Sequence, residues 1–216
     1  MILKVNNEGL VVAQNKSELI YIINSEIREK GPKCDLNFID TSRVSDMSGL
    51  FYASGFNGDI SKWNTKNVTD MSHMFRGSLF TGDISQWNTG NVKNMSWMFA
   101  LSLFNGDISK WNVENVENMS NMFSSSYFNN YLGDWKVDNV RDFSYMFYKS
   151  AFFRGEGLKN WNTFNALLMT GMFAYARSIE EDLSKWDIIN VKGLHKMFYK
   201  SSLEEKKNLP YWYNCE

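Results

Sequence analysis

Residues 56–75 read FNGDISKWNTKNVTDMSHMF, and close copies of this stretch recur along most of the 216-residue chain. A fixed period of about 20 to 50 residues is typical of a solenoid, in which each repeat buries its apolar side against its neighbours. The spacing therefore predicts one continuous repeat protein. Successive tryptophans of the copies are separated by 24, 24, 24, 26 and 25 residues, at Trp63, Trp87, Trp111, Trp135, Trp161 and Trp186.

The residues around each tryptophan predict a short strand. In the clearest copy Trp63 and Thr65 alternate with the polar residues Lys62, Asn64 and Lys66. Alternation with a period of two is typical of a strand that has one buried face. Because every copy runs in the same direction, we expect the strands to form a parallel sheet.

The end of each copy predicts a helical turn. Met71, Met74 and Phe75 have the i, i+3, i+4 spacing of one helix face, and Thr69 is a candidate N-cap. A methionine stripe can also indicate copper or an adaptable groove, but at this spacing core packing is favoured. The sequence thus predicts an α/β repeat solenoid, a leucine-rich-repeat-like coil with one short parallel strand and one helical turn per 24–26 residues.

The repeat divides the chain into three parts of one continuous domain. Residues 1–33 predict an N-terminal strand and helix that cap the repeats, with Ser17 as the helix N-cap. Residues 34–208 predict the seven-repeat solenoid, whose early copy has Ile39 in the position of the tryptophan. Residues 209–216 predict a truncated last repeat that contains Trp212.

Two polar positions recur in the turns. The Gly-Asp pair, as in Gly58-Asp59, predicts a turn, with calcium binding by stacked aspartates as the alternative. An asparagine four residues after each tryptophan is expected to bond the backbone of a turn, with ligand binding as the alternative. These asparagines are Asn67, Asn91, Asn115, Asn139, Asn165 and Asn190.

Composition limits the partners and the compartment. With 23 basic and 24 acidic residues the net charge is −1, which gives no electrostatic reason to expect nucleic acid or an anionic membrane. No stretch approaches the roughly 18 apolar residues of a membrane span, and no secretory signal is recognised. We expect Cys34 and Cys215 to be distant free thiols in a cytoplasmic protein, or in a surface or secreted one if an upstream leader was removed. The composition leaves the oligomeric state open.

The sequence offers little for catalysis. His73 and His195 lie in different repeats, and neither has a nucleophile and an orienting partner at recognisable spacing. No phosphate-binding loop and no metal motif is present in the sequence. We therefore expect a protein that is not an enzyme and uses no cofactor or metal.

Binding residues are expected where the repeats differ. One candidate surface faces outward beside the tryptophans, although a merely solvated face would have the same pattern. It comprises Lys62, Asn64, Lys66, Asn88, Lys110, Asn112, Glu114, Lys136 and Phe164. The other is an aromatic ridge on the helical turn, with Trp97, Tyr145 and Tyr148, for which packing between repeats is the alternative.

The copies FNGDISKWNTKNVTDMSHMF and FNGDISKWNVENVENMSNMF resemble BspA-like leucine-rich repeats, and more narrowly the Mycoplasma-type lipoprotein repeat. The resemblance covers about residues 36–212. It implies a bacterial protein without a catalytic motif, from a group in which many members are surface proteins associated with adhesion. Two functions are therefore predicted: a protein–protein interaction scaffold, or alternatively a surface adhesin that binds glycans or host matrix.

Overall fold

The computed structural model describes residues 4–213, in which regular elements are short apart from one helix. A three-stranded sheet at the N-terminus has the order β1-β2-β3, with β1 and β2 antiparallel and β2 and β3 parallel. Most of the remaining backbone forms turns that repeat with the sequence. The elements are β1 (Lys4–Val5), β2 (Val11–Val12), α1 (Lys16–Lys30), β3 (Ile39–Asp40), a 3₁₀ turn (Leu158–Asn160) and α2 (Ser202–Glu205).

The N-terminal strand and helix are present, but the predicted N-cap is wrong. The side chain of Asn15 accepts a hydrogen bond from the backbone N–H of Glu18 over 3.0 Å, so Asn15 caps α1. Ser17 lies one residue inside the helix, where it cannot take this position. Leu19 and Ile22 are buried in the core that α1 shares with the first repeats. Of the residues predicted to form this cap, 1–3 lie outside the described range.

The strand predicted around each tryptophan is absent, although its alternation is correct. Trp63 and Thr65 are buried while Asn64 is exposed, but these residues are in no ladder. The backbone N–H of Trp63 donates to the carbonyl oxygen of Ile60 in its own turn over 3.2 Å. The N–H of Val68 likewise donates to the carbonyl oxygen of Thr65 over 3.0 Å. Because the backbone closes local turns here, it forms no strand with the next repeat.

Parallel pairing occurs instead at the Met-Phe end of each repeat. The predicted helical turn is wrong for the backbone, because His73 has a φ of 58° and interrupts any helix. The N–H of His73 donates to the carbonyl oxygen of Ser96 in the next repeat over 2.9 Å. The N–H of Met74 instead donates within its own repeat, to the carbonyl oxygen of Met71 over 3.2 Å. The predicted burial is confirmed, since Met71, Met74 and Phe75 are fully buried. Isolated parallel bridges mark the pairing: Asp46↔Asp70, Asp70↔Asn94, Asn94↔Asn118, Asn118↔Asp142, Asp142↔Leu168 and Leu168↔Gly193.

Aromatic rings in register fill the core between repeats. The phenylalanines that end the repeats stack with neighbouring centroids 5.5 to 5.8 Å apart and nearly parallel planes. Each buried indole of the repeats also donates a hydrogen bond to a carbonyl oxygen of the preceding repeat, as Trp63 does to Leu36 over 3.0 Å. The stacked rings are Phe51, Phe75, Phe99, Phe123, Phe147, Phe173 and Phe198.

The predicted structural use of the repeated asparagines is confirmed. The side-chain amide of Asn115 donates to the carbonyl oxygen of Gly90 in the preceding repeat over 2.6 Å. Equivalent bonds of 2.7 to 2.8 Å are made by Asn67, Asn91, Asn139, Asn165 and Asn190.

The Gly-Asp pair also forms the predicted turn. The Asp59 carboxylate accepts the N–H of Ser61 over 2.9 Å. A Cβ on Gly58 would lie 2.0 Å from the carbonyl oxygen of Cys34, so glycine is required there. Cys34 is buried and free, and Cys215 lies outside the described residues.

Candidate functional site

All residues of the predicted outward face are exposed. This surface, here called the outward face, consists of Lys62, Asn64, Lys66, Asn88, Lys110, Asn112, Glu114, Lys136 and Phe164. The register that buries the tryptophans and threonines places these side chains on the opposite side of the chain.

The asparagines of the outward face have a local structural use. Asn64, Asn88 and Asn112 each accept a hydrogen bond from the backbone N–H two residues later, over 3.0 to 3.2 Å. At the equivalent position Asp187 accepts from Ile189 over 3.0 Å. The side-chain oxygen supports the turn, which also forms around Lys136 at the equivalent position without one.

Charges in the middle of the outward face pair with each other. Lys110 bonds Asp134 over 2.8 Å, and Lys136 bonds Glu114 over 2.8 Å, each across neighbouring repeats. The hydrogen bond to Asp134 raises the pKa of Lys110, and the one to Glu114 raises the pKa of Lys136. These pairs leave little net charge in the middle of the face, whereas Lys62 and Lys66 are in no ion pair within the described range.

Trp97, predicted as an exposed anchor, is half-buried in a stack of side chains. Its indole lies parallel to the His73 ring at 5.9 Å, and the Arg76 guanidinium lies 4.2 Å from the indole centroid. Arg76 also lies 5.6 Å from the ring centroid of Tyr52. Burial lowers the pKa of His73, and the positive charge of Arg76 lowers it further. Packing between repeats thus accounts for this tryptophan.

Tyr145 and Tyr148 belong to a larger cluster near the C-terminal end of the repeats. Tyr148 contacts Tyr145 and Tyr175 edge to face at 5.7 Å, and Tyr175 contacts Tyr199 in the same way at 5.4 Å. Three exposed lysines border these rings. The cluster, called here the tyrosine–lysine ridge, consists of Tyr145, Tyr148, Lys149, Tyr175, Lys196, Tyr199 and Lys200.

The lysines of the ridge lie against aromatic rings rather than carboxylates. Lys149 lies 5.2 Å from the ring centroid of Tyr148 and 5.7 Å from that of Tyr175. Lys200 lies 5.8 Å from Tyr175 and 5.3 Å from Tyr199. Among residues 4–213, none of the three lysines is in an ion pair. The ridge is therefore an aromatic surface with uncompensated positive charge.

Sequence reasoning identified only part of this ridge. It singled out Tyr145 and Tyr148 but did not follow the position four residues after Tyr145, which holds Lys149, Tyr175 and Lys200. These residues share positive φ angles of 52° to 61°. A comparison of the repeats at that position would have found the alternation of lysine and tyrosine.

The two histidines have different surroundings, and the described residues form no cluster that could hold a metal ion. His73 lies 3.5 Å from Arg76, and His195 is exposed in a different repeat. Within residues 4–213, no group of three or more His, Cys, Asp or Glu side chains is arranged to hold a metal ion. No helix in the same range is long and apolar enough to cross a membrane.

The pairing and ring stacking that recur from repeat to repeat identify this chain as a repeat protein. The chain belongs to the family described as "Mycoplasma protein of unknown function, DUF285", whose model matches residues 25–130 and again residues 125–213. Searches of curated proteins and of solved structures gave no match to this chain.

Proposed function

We propose that this chain is a solenoid without enzymatic activity, and that it binds another protein through the tyrosine–lysine ridge. The observation that carries the proposal is the placement of Lys149, Lys196 and Lys200 over tyrosine rings with no carboxylate partner among the described residues. Tyrosine is a frequent anchor of protein interfaces, and a cation held over its ring is available to an acidic partner.

The outward face is the weaker candidate for binding. Its asparagines form turns, and two of its lysines already have acidic partners at 2.8 Å. A partner at Lys110 or Lys136 would have to replace existing ion pairs. Lys62 and Lys66 are in no ion pair among residues 4–213, but unlike the lysines of the ridge they lie over no aromatic ring in that range. We therefore assign the interaction to the ridge.

We also propose that the repeats are related to BspA-like leucine-rich repeats. Support comes from the frame Ile60-x-x-Trp63-x-Thr65-x-Asn67, which approaches that of a leucine-rich repeat with the asparagine one place early. The Asn67 amide bonds the carbonyl oxygen of Ser42 in the preceding repeat over 2.8 Å.

A differential capture experiment tests the function. The full chain, immobilised, is compared with the double variant Lys149→Glu/Lys200→Glu in extracts of the source organism. The matched control is Lys62→Glu/Lys66→Glu, which makes the same charge change on the outward face. We expect a protein that is retained by the control and lost by the ridge variant.

Equal loss in both variants would contradict the assignment to the ridge, as would full retention by the ridge variant. A glycan array with the same three proteins separates the alternative function. Glycan binding that depends on the ridge would favour an adhesin over a protein scaffold.

A further inference from the structure

Peptide groups of successive repeats form hydrogen-bonded columns along the stack. The carbonyl oxygen of Asp70 accepts from Met47 of the preceding repeat, and the next N–H, of Met71, donates to Asn94 of the following repeat, both over 2.9 Å. Each repeat contributes four such peptide groups. Each of the four columns contains six bonds of 2.7 to 3.0 Å between Asp46 and Lys200.

All four columns have the same polarity. Their N–H groups point toward the C-terminal repeat and their carbonyl groups toward the N-terminal one. Aligned peptide dipoles in a helix place partial positive charge at the N–H end, and chains of hydrogen bonds strengthen one another. A fifth column has the opposite polarity, because its N–H groups donate to the preceding repeat over 2.8 to 2.9 Å, as Lys93 does to Thr69. It offsets one of the four, and the remaining alignment gives the last repeat a positive edge made of backbone donors.

The carbonyl end of the columns is next to a cation. Lys16 of α1 donates to the Asp46 carboxylate over 3.1 Å and to the Ser48 hydroxyl, both in the first repeat of the columns. The helix α1 also covers the apolar end of this repeat. Lys16 thus places a positive charge at the carbonyl end, although the backbone carbonyl oxygens there accept no backbone hydrogen bond within residues 4–213. These are the carbonyl oxygens of Asp46, Ser48, Leu50 and Tyr52.

The N–H end is largely open. Among residues 4–213, the backbone N–H groups of Leu194, Lys196 and Phe198 have no acceptor, although the equivalent groups in every earlier repeat bond the next one. The fourth N–H, of Lys200, donates to the Glu204 carboxylate over 2.6 Å. This bond is the reach-back of a glutamate in the first turn of α2, as Glu18 makes to the Gln14 N–H at α1, and it occupies the fourth donor.

The shape and charge of this edge suit an anion. Lys196 and Lys200 have φ angles of 54° and 52°, and residues of this left-handed type that present successive N–H groups form anion-binding concavities called nests. Both lysine side chains are exposed and unpaired within the described range. Phe198 is buried under Trp212 and Tyr213, so Leu194 and Lys196 provide the accessible donors.

We propose that the backbone N–H groups of Leu194 and Lys196 bind a carboxylate of an acidic segment of a partner protein. This inference rests on the proposed function, because Lys196 and Lys200 belong to both the edge and the ridge. It specifies where the partner binds, because the partner's acidic segment would lie across the C-terminal end of the stack.

The test uses the full chain labelled with ¹⁵N and a blocked peptide of alternating Asp and Glu, with the corresponding Asn and Gln peptide as control. Saturation with the acidic peptide is expected to shift the amide signals of Leu194 and Lys196. Lys196→Gly, which keeps the N–H and the φ angle, is expected to retain the shift of its own amide. Unmoved signals at both positions would overturn the proposal, as would equal shifts with inorganic phosphate at the same concentration.

A pair of variants separates the backbone edge from simple charge. Glu204→Ala frees the fourth N–H and should bind the acidic peptide about threefold to tenfold tighter, the range expected for one added hydrogen bond. Glu205→Ala removes the same charge one residue away without freeing a donor, and should change affinity less. Equal effects of the two variants would overturn the proposal. Leu194 and Lys196, whose amide signals are followed, are not changed in the capture experiment, so failure of either test is read separately.

Discussion

The indole Nε1 of Trp111 donates a hydrogen bond to the carbonyl oxygen of Ile84, 27 residues earlier in the chain, over 3.0 Å. Trp111 is only 3% exposed, so bulk water cannot take the place of the indole as a donor to this carbonyl. The same bond recurs with lengths of 2.7 to 3.1 Å at Trp63, Trp87, Trp135, Trp161, Trp186 and Trp212. Each of these side chains therefore links its repeat to the preceding one by a hydrogen bond.

Trp111→Phe should therefore destabilise the fold. The substitution removes the indole donor, while the Ile84 carbonyl still accepts the N–H of Trp87, so the lost bond costs about 0.5–1.5 kcal/mol in free energy of unfolding, with a further loss from the smaller ring. The measurement is chemical denaturation followed by circular dichroism. Trp97→Phe is the matched control, because Trp97 is half-buried and its Nε1 makes no hydrogen bond in the described range. A control as damaging as Trp111→Phe would contradict the expected role of the buried bond.

The same substitution at two nearby asparagines should have opposite outcomes. Asn115→Asp replaces the amide that donates to the Gly90 carbonyl with a carboxylate, and should cost about 0.5–1.5 kcal/mol at neutral pH, because the bond is exposed and water can replace the donor. Asn112→Asp keeps the oxygen that accepts from Glu114, so stability should change little. Thermal unfolding of both variants decides this, and comparable losses would show that charge alone, and not the lost donor, is responsible.

The cap of α1 gives a third test. Asn15→Ala removes the acceptor of the Glu18 N–H and should reduce the free energy of unfolding by about 1 kcal/mol. Ser17→Ala lies within the helix and should have a much smaller effect. Denaturant titrations of the two single variants distinguish them, and a larger loss in Ser17→Ala would restore the N-cap predicted from the sequence.

The depressed pKa of His73 predicts a dependence of stability on pH. Burial and Arg76 disfavour the protonated ring in the folded protein, so the unfolded chain binds more protons as the pH falls below about 6.5. Stability should therefore decrease from neutral pH toward pH 5. His73→Asn, which suits the φ of 58° and occurs in the equivalent position as Asn121, should reduce this slope. An unchanged slope in melting temperatures would exclude His73 as its source.

Burial was predictable from the sequence because it depends on periodicity. The spacing of Trp63, Thr65, Met71 and Phe75 placed each of them correctly in the core. Backbone conformation was not predictable in the same way. The positive φ of His73 leaves no mark in residue type, since equivalent positions hold Trp97 and Tyr145 as well as glycine, and it converts an expected helical turn into a paired segment.

The ridge was only half predictable for a related reason. Tyr148 was noticed because aromatics are not required at its position, whereas Lys149 resembled an ordinary surface lysine. Its significance depends on the Tyr175 ring of the next repeat, 5.7 Å away. Contacts of this kind form only when repeats stack, so the sequence of a single repeat does not reveal them.

The four columns divide each repeat into an arc of constant length and an arc of variable length. From tryptophan to phenylalanine the step is 12 residues in each repeat, as from Trp135 to Phe147 and from Trp161 to Phe173. From phenylalanine to the next tryptophan it grows from 12 residues to 14 between Phe147 and Trp161. A deletion in the constant arc would move every donor of that repeat past its acceptor, whereas insertions in the variable arc leave the bonded pairs intact. Insertions and deletions are therefore tolerated only in the variable arc or as whole repeats. The length of the stack consequently changes by whole repeats.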